Sequence, residues 1–304
     1  MPSFTFRQLE FAVALLDHPT LASASKQLHI SESALSHAIS ELEAAVGDQL
    51  CVRRKAKGIV LTPTGRYFAE RAKKLLREAN ALAADLGEVR GELSGPVALG
   101  CYTGLASNIL PGILERMMAV HPKIEVSIVV GDHADMLPAL EEGALDAAIL
   151  YDIDLPPGLE RRVIYNTQGM AIFAASDPMA GLEYIDLADL VDRPLIMLDT
   201  APSKEFTTLA FARRGLKPRI KAVVPQIDLV RALVARGWGY SLLMARPNQI
   251  AVSSEGLELV TRHLRPRAGE TSVVAAWSAA APLNLRTRAA IDCAMEVVGA
   301  MQPD

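Results

Sequence analysis

The sequence predicts an α/β protein with an all-helical N-terminal part: a helix-turn-helix, a short hairpin, one long helix and then α/β lobes. Three observations carry this. Two short helical runs near the start are joined only by His29, Ile30 and Ser31, a connection tight enough for a helix-turn-helix. Apolar residues over 63–91 recur at heptad spacing. Beyond residue 96, strand-like runs that are apolar throughout alternate with helical ones, as in a largely parallel sheet covered on both faces.

The totals bound the reading. With 304 residues the chain exceeds one ordinary core and suits two or three folding units. Its 50% apolar and 22% charged content excludes a disordered class. A net charge of −4 means that any polyanion site has to be a local patch. Arg7, Glu10 and Asp17 interrupt the first apolar run, so no secretory segment is read there, and no run reaches the length of a membrane span. Cys51, Cys101 and Cys293 are isolated, with no CxxC and no Cys/His cluster. The expectation is a cytoplasmic protein with reduced thiols and no metal or cofactor.

The elements follow in order. Phe6, Leu9, Val13 and Leu16 give a first helix over 5–17. Thr20 caps a second over 21–28, buried through Leu21, Ala24 and Leu28. Ser31 caps a third over 32–46, with Leu35, Ile39, Leu42 and Val46 inward, and Gly47 ends it. Two strand-like runs then flank a turn over 53–58, where four of the five residues from Arg53 to Lys57 are basic. Over 63–91, Phe68, Ala72, Leu75, Ala79, Leu82, Leu86 and Val89 alternate spacings of four and three. So narrow a seam pairs helix with helix, and no second such helix exists in the chain; a second copy is the expected partner. Residues 90–96 form a Gly- and Pro-punctuated linker. Strands are predicted over 97–102, 125–131, 146–151, 170–175, 194–198, 220–224, 240–244 and 272–277, with helices between most of them, such as 105–120 and 226–236. A stretch this long suits two lobes better than one sheet.

The progression Ala24, Leu28, Ser31, Ala34, Leu35, Ser36, Ile39, Leu42, Glu43, Val46 and Gly47, closed by Leu61-Thr62-Pro63-Thr64-Gly65, resembles the LysR-type transcriptional regulators. The resemblance implies a winged helix-turn-helix over 1–62 and a dimerising linker helix over 63–91. It also implies an effector-binding domain over 92–304 like the two-lobed periplasmic solute-binding proteins. The first lobe would hold 92–165 and 268–304, the second 166–267. The implied partners are double-stranded operator DNA, a small-molecule effector, further copies of the chain as homodimer and homotetramer, and RNA polymerase.

A recognition helix of this kind enters the major groove. The solvent-facing candidates for base edges are Glu32, Ser33, Ser36, His37 and Ser40, and Arg53, Arg54, Lys55 and Lys57 would supply phosphate attraction. The bland alternative is a solvated helix face and a solvated hairpin. The chain also departs from the family: Glu32 stands where Gln is common, His37 where Arg or a similar donor is, and Leu50-Cys51 where Leu-Phe is usual. A carboxylate accepts from cytosine and not from guanine acceptors, so base preferences do not carry over.

In α/β sheets ligands sit beyond the carboxyl ends of strands, against helix starts. Three such ends carry suitable groups: Tyr102, Thr103 and Gly104; Asp132 and His133 after Gly131; Pro202 and Ser203 before Lys204. Gln226 and Ile227 make a fourth. These polar donors point to a small organic anion, although Asp132 either selects an amine or is neutralised by Lys204. Helix capping is the competing account of Thr103, Ser203 and Gln226, and a surface or capping role that of His133. Cys101 reads as a small buried residue, with a thiol sensor as the alternative. The chain crosses between lobes near 165–169 and 264–269, both containing Gly and the second Pro266, as hinges do. An α/β enzyme or a plain small-molecule receptor is the rival function. The enzyme lacks GxSxG, a glycine-rich phosphate loop and metal-ligand spacing.

Overall fold

A computed structural model describes residues 4–18, 20–54, 58–89, 93–248, 250–280 and 283–301. The chain forms two compact units, Met1–Glu92 and Leu93–Asp304. No helix among the described residues is long and apolar enough to cross a membrane.

The first unit opens with α1 (Phe6–Asp17), α2 (Leu21–Gln27) and α3 (Glu32–Val46). Each start is fixed by a side chain. Thr5 and Gln8 form a capping box, Thr20 accepts from the Ser23 amide, and Ser31 accepts from that of Ala34. Gly47 closes α3 at φ 79°, a conformation that costs any other residue. Strands β1 (Cys51–Arg54) and β2 (Gly58–Leu61) pair antiparallel with Cys51 opposite Leu61. The core gathers Phe11, Ala14, Leu15, Ala24, Leu35, Ile39, Cys51 and Ile59.

Long α4 (Pro63–Val89) starts where Thr62 accepts from the Gly65 amide. A Cβ at Gly65 would lie 1.7 Å from the Leu50 carbonyl oxygen, so the Leu-Thr-Pro-Thr-Gly segment needs its glycine for close approach to β1. Glu43, another position of the family progression, is structural: its Oε1 accepts from the amides of Leu50 and Cys51 at 2.8 and 3.0 Å.

The heptad stripe does not act as one seam. Ala72 is buried, and Phe68 packs with Ala12, Leu42, Leu50 and Ala69 and edge-on against Phe4. That end of α4 therefore completes the helical core, against the expectation of pairing along its whole length. Leu75 and Leu82 are 46% and 63% exposed. The side chains of Leu86 and Val89 lie outside the described residues. On α1 the apolar spacing that gives the helix is split: Phe6 is exposed, while Leu9 is buried along with Phe11, Ala12, Ala14 and Leu15. Phe6 and Leu9 instead join Leu75, Ala79 and Leu82 around one apolar hollow.

In the second unit a five-stranded sheet runs β4 (Ile124–Gly131), β3 (Gly95–Tyr102), β5 (Ala147–Tyr151), β13 (Thr271–Ser278), β6 (Leu159–Thr167). The first three are parallel; β13 is antiparallel to both neighbours. Helices α5 (Thr103–Val120), α6 (His133–Glu141) and α9 (Leu285–Met301) pack on it. A second group of strands contains β7 (Gly169–Ala174), β8 (Tyr184–Ile185), β11 (Ser241–Met244) and β12 (Leu259–Leu264), ordered β11-β7-β12-β8. Parallel strands β9 (Pro194–Leu198) and β10 (Arg219–Val224) join this group through a bridge between Leu195 and Tyr240. Helices α7 (Ser203–Ala212) and α8 (Ile227–Ala235) complete the second lobe. The chain crosses between sheets from β6 to β7 and from β12 to β13.

Candidate functional site

On α3, positions 32, 33, 36, 37 and 40 share one face of a 3.6-residue helix. Glu32, Ser33, His37 and Ser40 are exposed; Ser36 is half-buried beside Leu21, Ile39 and Glu43. Part of this polarity is already engaged. Ser33 Oγ lies 3.0 Å from Ser31 Oγ, and Ser40 donates to the Ser36 carbonyl at 3.1 Å. His37 Nδ1 is 3.6 Å from Glu41. Arg53 and Arg54 stand on β1 opposite Ile59 and Gly58, with side chains outside the described residues, as are Lys55 and Lys57 altogether.

In the second unit, three helices begin where the two lobes meet. Tyr102, the last residue of β3, sends its hydroxyl across to the second lobe, 2.9 Å from Thr200 Oγ1 and 3.2 Å from Ser203 Oγ. Its ring packs edge-on against Tyr151 and His133. Burial pushes its phenol up, partly offset by those two hydroxyls. A Cβ at Gly104 would come within 2.8 Å of the Tyr102 ring and 3.9 Å of Ile227, so Tyr102, Gly104, Ser203 and Ile227 share one locus. Pro202 is buried beside them, and Thr103 and Gln226 are exposed at the starts of α5 and α8.

Several expectations change. Thr103 and Ser203 are the first residues of α5 and α7, and Gln226 is the N-cap of α8, yet none of these three helices begins with a side-chain cap bond. Asp132 does make one: it accepts from Ala134 and Asp135 at the start of α6. Lys204 does not neutralise it, because its Nζ pairs with Asp199 at 2.7 Å. His133 is neither a surface residue nor a cap. It is buried, with Nε2 3.0 Å from the Tyr151 carbonyl oxygen, and desolvation lowers its pKa. Cys101 is fully buried and its thiol is pushed up to about 12, which removes the thiolate a sensor needs.

Sequence reasoning missed Arg246 and Asn108. Arg246 follows β11 and donates to the Gly104 carbonyl at 2.9 Å, while Asn108 on α5 donates to the Asn248 carbonyl at 3.2 Å. Together they fasten α5 to the second lobe. Burial lowers the Arg246 guanidinium below the ordinary arginine range. Its signal was a charged residue placed two positions after an apolar strand end. Also missed was a cavity of about 600 Å³ between residues 152–154, the flank of α7 and residues 266–271.

Known proteins place this architecture. A model of the bacterial regulatory helix-turn-helix protein, lysR family, matches residues 6–66, and one of the LysR substrate binding domain matches residues 90–299. The chain belongs to the LysR family. It is a DNA-binding transcriptional regulator with an effector-binding domain. Among its relatives, the HTH-type transcriptional regulator BenM of Acinetobacter baylyi is 26% identical, over 80% of this chain and 81% of that protein. The HTH-type transcriptional activator IlvY of Salmonella typhimurium is 28% identical, over 78% and 81%. A crystal structure of HinK, a LysR family transcriptional regulator from Pseudomonas aeruginosa, shares 30% identity and a TM-score of 0.66, over 99% of this chain and all of that one. These relatives are regulators and not enzymes, and regulators of this family act as oligomers.

Proposed function

We propose that this regulator reads a two-fold symmetric operator and that a small organic anion, held where α5, α7 and α8 begin, sets that binding. The division of labour is residues 1–62 for DNA, 63–91 for pairing with a second copy, and 92–304 for the effector. Glu32, Ser33, Ser36, His37 and Ser40 face base edges, and Arg53, Arg54, Lys55 and Lys57 meet phosphates. Leu75 and Leu82 supply the exposed part of the homodimer seam. A homotetramer of such dimers, acting on RNA polymerase at a promoter, is the assembly in which lobe angle alters the spacing of recognition helices.

One observation carries the effector site. The helices α1, α2, α3, α4, α6 and α9 each begin on a side-chain oxygen, from Thr5, Thr20, Ser31, Thr62, Asp132 and Asn284. Helices α5, α7 and α8, which start where the lobes meet, have none. Apart from the Lys204 amide, which reaches the Thr200 carbonyl at 3.1 Å, their first amides and positive dipole ends remain for an anion.

Selection of bound sites from a random duplex pool tests the DNA part. The expected product has half-sites one helical turn or a multiple apart. Ser33→Ala and His37→Ala should flatten the base preference at matching positions and leave non-specific binding intact. A selected site unchanged in both variants would place the reading face elsewhere.

A further inference from the structure

We propose that the second lobe carries a second ligand site, separate from the starts of α5, α7 and α8. It takes a small carboxylate, held by the side-on edge of the Arg246 guanidinium and the hydroxyl of Thr261.

The site is a cavity of about 190 Å³ between the β7–β12 pair and the segment 245–251 that leaves β11. In the register of these strands Thr261 stands opposite Ile172, so Met170, Ile172, Leu259 and Thr261 share one face of the sheet. That is the face α8 covers, since Ile172 and Leu259 pack with its Val230 and Val234. Met170, Ile250, Ala251 and Leu259 make the wall apolar. Among the described residues no acid lines it, and Arg246 is its one charged residue. None of the residues assigned to the effector between the lobes lines it.

The chemistry follows from what Arg246 leaves unspent. Its Nη1 makes both of its hydrogen bonds, to the Gly104 carbonyl at 2.9 Å and to Asn108 Oδ1 at 3.5 Å. Nε is buried and, like Nη2, has no acceptor among the described residues. Nε and Nη2 form the side-on edge of a guanidinium, whose two parallel N–H groups match the two oxygens of a carboxylate. Thr261 adds a hydroxyl that makes no hydrogen bond among the described residues.

Arg231 is an independent observation. It lies one turn beyond Ile227 on α8, and Ile227 and the Arg246 guanidinium both come to Gly104. Its Nη2 donates to the carbonyls of Ile250, a wall residue, and of Val252. It is 6% exposed, and its Nη1 is buried with no acceptor. Neither arginine has an ion pair among the described residues, and Asp228, which acts on both, is exposed and pairs with neither. Cations taken out of water without a counter-charge are costly, so this corner of the lobe favours an anion. A cavity this small suits a carboxylate of a few carbon atoms. Occupancy bears on the lobes as well, because the same guanidinium fastens Gly104 of α5.

The test is isothermal titration of the full-length protein with propionate and with propionamide, its neutral counterpart, at constant ionic strength. Propionate should bind and propionamide should not. Arg246→Met should abolish binding, and Thr261→Val should weaken it about tenfold. Ala251→Trp fills the cavity from an exposed position and should abolish binding with both arginines in place. Thr103→Trp crowds the start of α5 instead and should leave propionate binding unchanged. No binding of propionate, or equal binding of the amide, overturns the proposal. Binding that survives Ala251→Trp also overturns it, and if Thr103→Trp then removes that binding, the carboxylate lies between the lobes and the effector site there stands.

Discussion

Replacing Gly269 by Ala imposes two costs, and only one depends on Phe206. Gly269 sits at φ 66°, where an L side chain costs about 1–2 kcal/mol. Its Cβ would also lie 2.0, 2.5 and 2.9 Å from Cε2, Cδ2 and Cζ of the Phe206 ring. That ring is 8% exposed and packed in the core, so relief needs repacking, at about 1–3 kcal/mol. Together these give about 2–5 kcal/mol. Phe206→Ala alone should cost about 3–5 kcal/mol for the lost buried ring. In the double variant the new methyl occupies the space the ring left, so the steric part disappears. The summed costs should then exceed the measured one by about 1–3 kcal/mol. Equilibrium denaturation of the four full-length proteins reads this, because Trp238 and Trp277 both lie in the second unit. Additive costs would refute the claim that Phe206 fills the crossing at Gly269.

Replacing both Leu75 and Leu82 by Asp should abolish dimers in sedimentation, since it puts charges into an apolar seam; a double variant that sediments as wild type removes the seam. The buried His133 should make stability depend on pH. Its folded pKa lies below the unfolded 6.5, so the unfolded state binds the extra proton and stability falls as pH drops through 6.5 toward the folded value. The slope is at most about 1.4 kcal/mol per pH unit, and a His133→Asn variant whose pH profile matches wild type would show another group responsible. Changing Arg53, Arg54 and Lys57 to Ala should weaken binding to all duplexes alike and flatten the salt slope by up to about three. Loss confined to one sequence would mean that these residues read bases.

Legibility in the sequence tracked how local the cause was. The helix starts at Thr20 and Ser31 and the stop at Gly47 depend on a side chain and its nearest amides, and they stood as read. Strands buried on both faces, such as β5 and β9, show as unbroken apolar runs. Strand β6 was missed because Glu160, Arg161 and Arg162 face solvent on the sheet edge, so its run looks polar. In β12, Arg262 and His263 broke the pattern in the same way. The heptad stripe misled for a different reason. Period 3.5 reports that a face is apolar, not which surface covers it, and Phe68 and Ala72 found theirs inside the chain. The cleft needed tertiary knowledge throughout. That Tyr102 meets Ser203, 101 residues away, or that Lys204 turns to Asp199 instead of Asp132, has no local signature.

An effector bound at the start of α7, as proposed, has a physical route to the lobe angle. A ligand shifts an equilibrium only by touching the two arrangements differently. At the first residue of α7, Ser203 bonds the Tyr102 hydroxyl of the first lobe. One turn on, the Phe206 ring lies where a Cβ at Gly169 would be 2.2 Å away and one at Gly269 2.0 Å away, so one side chain abuts both chain crossings. Group occupancy at the α7 start and freedom at both hinges are thereby set by the same short helix. Cores are close-packed and bistable more than compliant, so a small displacement of α7 must either be refused or move the crossings. The two glycines are what let Phe206 sit that close. Enlarging either one should alter the effector response even where DNA contacts are untouched, which separates coupling through α7 from direct effects on the helix-turn-helix.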